Sequence, residues 1–378
     1  MALSAPAQVL KIWVLSQTGN QKLPSICGIW DTATQQVAAS DSVSSYMSHI
    51  RIPVMLMQGE DDTLFNLNEA VATYDALRAQ HTPVRMVWQS WGHSSLTAAP
   101  GEIGNDLGIL DANGSESLEG SMILDWFNHY LKGTGPKPAL NFSFYRPWVS
   151  YSGDDAAAAY ASAPSFPIGT TTPLYLSGAA ASGSGAASGA DALVGSASAA
   201  ATGDLTLTTP APNATESVTE ESGVSQAVPL SDPAGSYVEY ESAPLTSDTY
   251  VVGIPSVTLT AQAPSSLLVD QGLPADVGVF VKLEDIAPDG SATLPDRLIA
   301  PARFADTGQP VTIHLPGIVH EFAAGDRIAL VVAGSDSSYF EPDTSTPITV
   351  STSASAPGVL DLPVAGSGSY TPVVITSK

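Results

Sequence analysis

Residues 51–94 read RIPVMLMQGEDDTLFNLNEAVATYDALRAQHTPVRMVWQSWGHS, and their order decides the fold class. Ile52–Gln58 is a continuous apolar run of strand length, which is how a strand covered on both faces of a parallel sheet reads. It stops at Gly59-Glu60-Asp61-Asp62. From Asn66 to Gln80 the apolar residues fall at 67, 70, 71, 74 and 77. That is helical spacing, with Asn66 or Asn68 as the N-cap. Pro83 follows the break, and Val84–Trp88 is a second buried strand. Strand, helix, strand makes a βαβ crossover with parallel strands. Ser90-Trp-Gly-His-Ser94 closes the unit.

Outward from this unit the two sides differ. Residues 1–50 carry Trp13 and Trp30 without a long helical period. On the other side a helix is expected over 116–132, with Met122, Ile123, Trp126, Phe127, Tyr130 and Leu131 on one face and Gly133 as its C-cap. Past residue 145 the helical pattern ends. Residues 178–202 are almost pure Ala, Gly and Ser and read as a flexible segment. From residue 203 short β-rich runs alternate with Pro, Gly and Asp turns, among them Asp204–Thr208, Ser256–Ala261, Gly278–Leu283, Val311–Leu315, Arg327–Ala333, Ile348–Thr352 and Pro372–Thr376. Such spacing indicates an antiparallel sandwich or jelly roll. The expected architecture is α/β over residues 1–150 followed by all-β over 151–378.

Composition narrows the function. Of 378 residues, 13 are Lys or Arg and 37 are Asp or Glu, for a formal net charge of -24. Nucleic-acid recognition and polybasic membrane anchoring both need clustered cations, so neither fits. One cysteine, Cys27, excludes an internal disulfide and any multi-Cys zinc site. No apolar run approaches the roughly 18 residues that span a bilayer. The first residues lack the charged start and apolar region of a signal peptide, so either export does not use that route or Met1 is not the natural start. The Ala/Ser/Thr/Gly-rich, Lys-poor surface suits an exported or envelope protein better than a cytoplasmic one.

The chemistry concentrates in the βαβ unit. Loops leaving the C-terminal ends of parallel strands hold the active sites of α/β enzymes. One such loop carries Glu60, Asp61 and Asp62, and the next carries Gly92-His93. An Asp that orients a His, with the His as general base for a nucleophile, would fit these positions. From position alone Asp61 competes with Asp62, and acidic loops and lone histidines are commonly structural. His49, His81, His129, His314 and His320 are too scattered for a metal site. Asp285 with Asp289-Gly290 reads better as a hairpin turn than as a calcium loop. Trp88 and Trp91 could line a pocket or fill the core.

Ile52–Gly59, then Asp62-Thr-Leu-Phe65 and Asn68-Glu-Ala70, resembles the acid-loop segment of the X-Pro dipeptidyl-peptidase and cocaine-esterase family of α/β-hydrolases. Pro83–Trp88 followed by Gly92-His93 resembles that family's histidine segment. Pro173–Ser177, Leu245, Asp248, Gly253, Pro255, Val257 and Leu259, Val281–Ile286 with Asp289-Gly290, and Gly325–Leu330 are similar to its C-terminal jelly-roll domain. The resemblance implies a partial α/β-hydrolase sheet plus a galactose-binding-like jelly-roll sandwich. It implies Asp62 as triad acid, His93 as triad base, no cofactor, and a small peptide or ester as substrate. The family's nucleophile sits on a G-x-S-x-G elbow upstream of the acid, and no such sequence occurs here. Ser94 follows Gly92 at the right distance, but Leu96 stands where the second glycine belongs. About 50 residues before the acid strand are too few for the expected upstream strands. The expectation is therefore the C-terminal part of a serine hydrolase, with the nucleophile coming from an N-terminal segment or a second chain. The alternative is a non-catalytic jelly-roll protein that binds carbohydrate or a partner and keeps a remnant hydrolase segment.

Overall fold

The computed structural model of the chain describes residues 36–373, except 38, 96, 104–116, 154, 179–190, 210–231, 265–276, 305–307, 337–338, 340–344 and 367. Its first sheet begins with β1 (Val54–Gly59) and β2 (Val84–Gln89), which pair in parallel with Val54 opposite Val84 and Gly59 opposite Gln89. Helix α1 (Leu67–Ala79) bridges them. Asn66 is its N-cap and accepts from the Asn68 N–H at 3.1 Å. Glu69 in the first turn and Arg78 in the last complement the helix dipole. Leu67, Ala70, Val71, Tyr74 and Leu77 are its buried residues, the same five that the spacing singled out.

Helix α2 (Leu118–Tyr130) follows, then β3 (Phe142–Tyr145), parallel to β2, and β4 (Tyr160–Ala163), antiparallel to β3. The expected boundary at residue 150 thus falls inside the first sheet rather than after it. Within α2, Met122 and Trp126 are buried, but Phe127 and Leu131 are 48% and 75% exposed. The helix packs through its N-terminal half, with Leu118, Glu119 and Gly120 buried.

The second sheet contains fourteen described strands: β5 (Thr170–Ser177), β6 (Asp191–Val194), β7 (Gly203–Thr208), β8 (Tyr237–Ser242), β9 (Thr249–Gly253), β10 (Ser256–Gln262), β11 (Val277–Ile286), β12 (Ala292–Thr293), β13 (Ala300–Phe304), β14 (Pro310–His314), β15 (Ile318–Phe322), β16 (Arg327–Ala333), β17 (Pro347–Thr352) and β18 (Val359–Val364). Pairing is antiparallel throughout except between β6 and β8. Strand β19 (Thr371–Pro372) returns to the first sheet and pairs with β4. Alternate residues of β11 (Val277, Val279, Val281, Leu283) enter one core with residues of β8, β10, β13, β16, β17 and β18. One apolar cluster drawn from so many strands means the sheet folds over onto itself.

The segment expected to be flexible, 178–202, contains β6. Ala192 and Leu193 are buried there, between β5 and β8. Its four residues, Asp-Ala-Leu-Val, are hidden in sequence by the Ala/Gly/Ser run around them. Residues 195–202 are described as well, with a single helical turn at Ala197–Ala199, and 179–190 lie outside the described residues.

The two sheets share a core. Leu67, Tyr74, Met86, Trp88, Phe142 and Phe166 cluster with Val252 of β9, Val319 of β15 and Ala365. The Trp88 ring lies 4.7 Å from Phe142 and 5.2 Å from Phe166, fully buried, so it is core rather than pocket lining. Asn68 adds a polar clasp: its amide donates to Leu315 O at 2.9 Å and its oxygen accepts from Gly317 N–H at 2.8 Å.

Candidate active site

The parallel pairing of β1 and β2 brings their C-terminal loops side by side. Gly59 and Gly92 make this possible. A Cβ on Gly59 would fall 2.5 Å from the Gly92 Cα, and one on Gly92 would fall 2.7 Å from the Asp62 Cβ. The backbones also bond: Ser94 N–H donates to Asp61 O at 3.3 Å. Ser94 itself is buried, and its Oγ accepts from Thr63 N–H at 2.8 Å and lies 2.5 Å from Thr63 Oγ1. Its hydroxyl is therefore engaged in joining the two loops.

The Asp62 carboxylate is nearly buried. Oδ1 accepts from Leu64 N–H at 3.0 Å and Phe65 N–H at 2.8 Å, and Oδ2 accepts from the Gln58 amide at 3.1 Å. Three donors hold a carboxylate that can accept about four, which leaves one acceptor position on Oδ2. The His93 ring is exposed and makes no hydrogen bond to Asp62 or to any other described residue. The expected Asp62–His93 contact is absent for a local reason. The acid is anchored by its own loop, at Leu64 N–H, Phe65 N–H and the Gln58 amide, and the His93 ring stands at the surface.

Asp61 takes a different environment. Burial, and to a lesser extent the Asp62 charge, outweigh a bond from Ser95 and push its carboxyl up to about 6. Asp296, in the turn between β12 and β13, is pushed up to about 8 by burial and by Asp61. The second sheet therefore contributes an acid to this loop. Asp296 and Arg297 both hold left-handed backbone, at φ 49° and 54°, a strained conformation for residues with a Cβ. Glu60 is also buried; its Oε1 accepts from Tyr145 N–H at 3.1 Å, and burial with the charges of Asp296 and Glu102 raises it well above the carboxylate range.

Sequence reasoning missed the acid that holds the histidine loop. Glu102 is 3% exposed. Its Oε1 accepts from Ser90 N–H at 3.0 Å, and its Oε2 accepts from Ala99 N–H at 2.9 Å and from the Ser90 hydroxyl. One carboxylate thus ties the first and last residues of the loop together. Tyr160 O–H donates to the same Oε1 at 2.5 Å and lies 3.3 Å from Oε1 of Glu119. One signal could have found Glu119: it shares a helix face with Met122 and Trp126 at i, i+3 and i+7.

The other site candidates resolve plainly. His320 Nε2 pairs with Asp285 Oδ2 at 2.9 Å. Asp289 Oδ1 accepts from Ser291 N–H at 2.9 Å beside Gly290 at φ 85°, the geometry of a turn. Among the described residues no group of three His, Cys, Asp or Glu could hold a metal, and no helix is long and apolar enough to cross a membrane.

An α/β layer with an acid loop and a histidine loop on neighbouring parallel strands is thus joined to a large antiparallel sheet. Residues 146–358, more than half of the chain, match the family described as the X-Pro dipeptidyl-peptidase C-terminal non-catalytic domain, and the chain belongs to that family. No curated protein matches closely enough to count as a relative. Three solved structures share the fold. An α-amino acid ester hydrolase aligns at 18% identity and TM-score 0.58, over 85% of this chain and 57% of its own. An aminopeptidase from a marine-sediment Thaumarchaeota archaeon aligns at 16% and 0.60, over 93% and 62%. A CocE/NonD family hydrolase from Staphylococcus aureus aligns at 14% and 0.53, over 85% and 55%. These proteins are hydrolases, and the chain spans less than two thirds of the length of each.

Proposed function

We propose that this chain is the acid- and histidine-bearing part of a serine hydrolase that cleaves X-Pro dipeptides or small esters and amides by acyl transfer. His93 takes the proton of a serine hydroxyl, and Asp62 orients the imidazole through the open acceptor position on Oδ2. The observation that carries this reading is the close approach of the two loops at the C-terminal ends of adjacent parallel strands, through Gly59 and Gly92. The nucleophile comes from polypeptide packed against β1. Three features support such packing. Strand β1 is unpaired on its outer side among the described residues, its Val54, Met55, Leu56 and Met57 are only half-buried, and Ile52 beside it is 72% exposed. An open apolar edge recruits another strand, and that strand would press His93 toward Asp62. The β part is read as a galactose-binding-like jelly-roll sandwich, and substrate binding needs no cofactor.

The test is the native protein, isolated by affinity from its source and treated with a fluorophosphonate probe, with hydrolysis of an Ala-Pro chromogenic amide and a short aryl ester measured alongside. Labelling together with turnover that His93→Ala and Asp62→Asn each lower at least 100-fold is expected. Turnover indifferent to His93→Ala, or no labelled serine, overturns the reading. The second outcome would favour a non-catalytic jelly-roll protein that binds carbohydrate or a partner, the alternative that the description of residues 146–358 as non-catalytic supports.

A further inference from the structure

We propose that Glu119, Tyr160 and Glu102 form a buried hydrogen-bond chain that carries one shared proton and seats the loop from Ser90 to Ala99, making Glu102 and Glu119 positioning residues for His93. The seating of the loop does not depend on whether His93 is catalytic.

Hydrogen counting carries it. Tyr160 has a single hydroxyl proton, yet its oxygen is within reach of two carboxyl groups, 2.5 Å from Glu102 and 3.3 Å from Glu119. The shorter contact takes the proton. Glu102 meanwhile accepts from Ser90 N–H, the Ser90 hydroxyl and Ala99 N–H, so the ionised form suits it. Glu119 is fully buried, and its Oε2 has no partner among the described residues. The backbone amides of Ile103 and of Glu119 itself bond to this carboxyl and favour its charged form, but an ionised Glu119 would face the Tyr160 oxygen without a proton between them and leave Oε2 buried without a partner. A protonated Glu119 donates its O–H to the Tyr160 oxygen. The chain then runs in one direction, from the Glu119 O–H to the Tyr160 O–H to the Glu102 carboxylate, which takes the two loop-end amides.

The surroundings favour the neutral form. Burial first, then the Glu102 charge, pushes Glu119 up to about 8. Tyr145 and Tyr151 complete the pocket, both raised by burial; Tyr151 O–H donates to Pro100 O at 2.8 Å. The charges of Asp296 and Glu102 both act on Glu60. The nearby cation, Arg85, meets the same helix further on, at Met122 Sδ and opposite Asp125. When Glu119 ionises, two adjacent buried carboxylates compete, and Glu102 loses its hold on Ser90 and Ala99.

Hydrogen exchange of the intact chain, read by mass spectrometry on peptides covering residues 88–100 and corrected for the intrinsic pH dependence of exchange, tests this. Wild-type protection should fall about tenfold or more between pH 6 and pH 9. Glu119→Gln keeps a neutral donor toward Tyr160 and should flatten that profile at the protected level. Tyr160→Phe should lose protection already at pH 6. A flat wild-type profile, or a Glu119→Gln profile that falls like wild type, overturns the proposal. Glu102→Gln should expose the loop at every pH; should that variant not fold, the Glu119→Gln comparison decides alone.

Discussion

The clearest thermodynamic consequence concerns stability against pH, and Glu119→Gln isolates it. In the unfolded chain Glu119 titrates near 4.5, whereas in the folded chain burial holds it near 8. Below pH 4.5 both states carry the proton and the residue contributes nothing to the pH dependence. Between 4.5 and 8 the unfolded state gives up its proton while the folded state keeps it, so stability falls as pH rises. Above 8 both states are ionised and the loss is complete. The full interval corresponds to about 5 kcal/mol. The neighbouring carboxyl of Glu102 shares in this titration, so about 5 kcal/mol is an upper limit for Glu119 alone. All six tryptophans (13, 30, 88, 91, 126 and 148) lie in the first 150 residues, so tryptophan fluorescence reports the part that contains Glu119. Urea unfolding followed this way at pH 5, 6, 7 and 8 should give a declining midpoint for wild type. Glu119→Gln should match wild type near pH 4.5 and exceed it at pH 8, by at most about 5 kcal/mol. A variant weaker than wild type at pH 8, or with the same slope, would refute the claim that Glu119 is neutral when folded.

Three further outcomes are expected. Gly92→Ala forces the acid and histidine loops apart at the 2.7 Å approach to Asp62 and should cost about 1–3 kcal/mol by the same fluorescence assay; no change would mean the loops are not locked together. Lys282 is fully buried and pairs with Asp232, so Lys282→Ala should cost on the order of 3 kcal/mol, read by tyrosine fluorescence or circular dichroism of the β part, which lacks tryptophan. The recombinant 378-residue chain should show no turnover of an Ala-Pro amide or an aryl ester, and Ser94→Ala should change nothing. Clear turnover abolished by Ser94→Ala would make that serine the nucleophile despite its bonds to Thr63.

What could be read in sequence follows from how much contrast each element had. The five buried residues of α1 stand out because apolar and polar positions alternate at helical period. Strand β6 gave no such signal, because its four residues, Asp-Ala-Leu-Val, are too few to show a period and sit within a run of Ala, Gly and Ser. For α2 the apolar residues misled. Phe127 and Leu131 belong to the stripe but project outward, while Glu119 is buried against Tyr160. Asp62 and His93 could be singled out because loop position after a strand is a local property. Glu102 and Tyr160 could not, since their contact joins residues 58 apart through tertiary packing.

One feature of the composition had more to say than the partners it excludes. With 13 Lys and Arg against 37 Asp and Glu, the fold has few cations to pair with buried acids. The buried Arg146 is already committed: it donates to the backbone carbonyls of Ala158, Ala159 and Tyr160. Lys282 goes to Asp232, yet Glu284 on the same strand is still pushed up to about 7, by burial first. Protons must then do what cations do elsewhere. Glu60, Glu119, Glu284 and Asp296 are all raised, and burial is the largest cause at each. Each loses stability in the same direction as pH climbs, so the contributions add rather than cancel. Glu241 has Arg327 and Asp232 has Lys282, but a strongly acidic chain that buries four further acids with raised carboxyls has a folded state that favours mildly acidic solution, and the seating of its histidine loop follows the same rule.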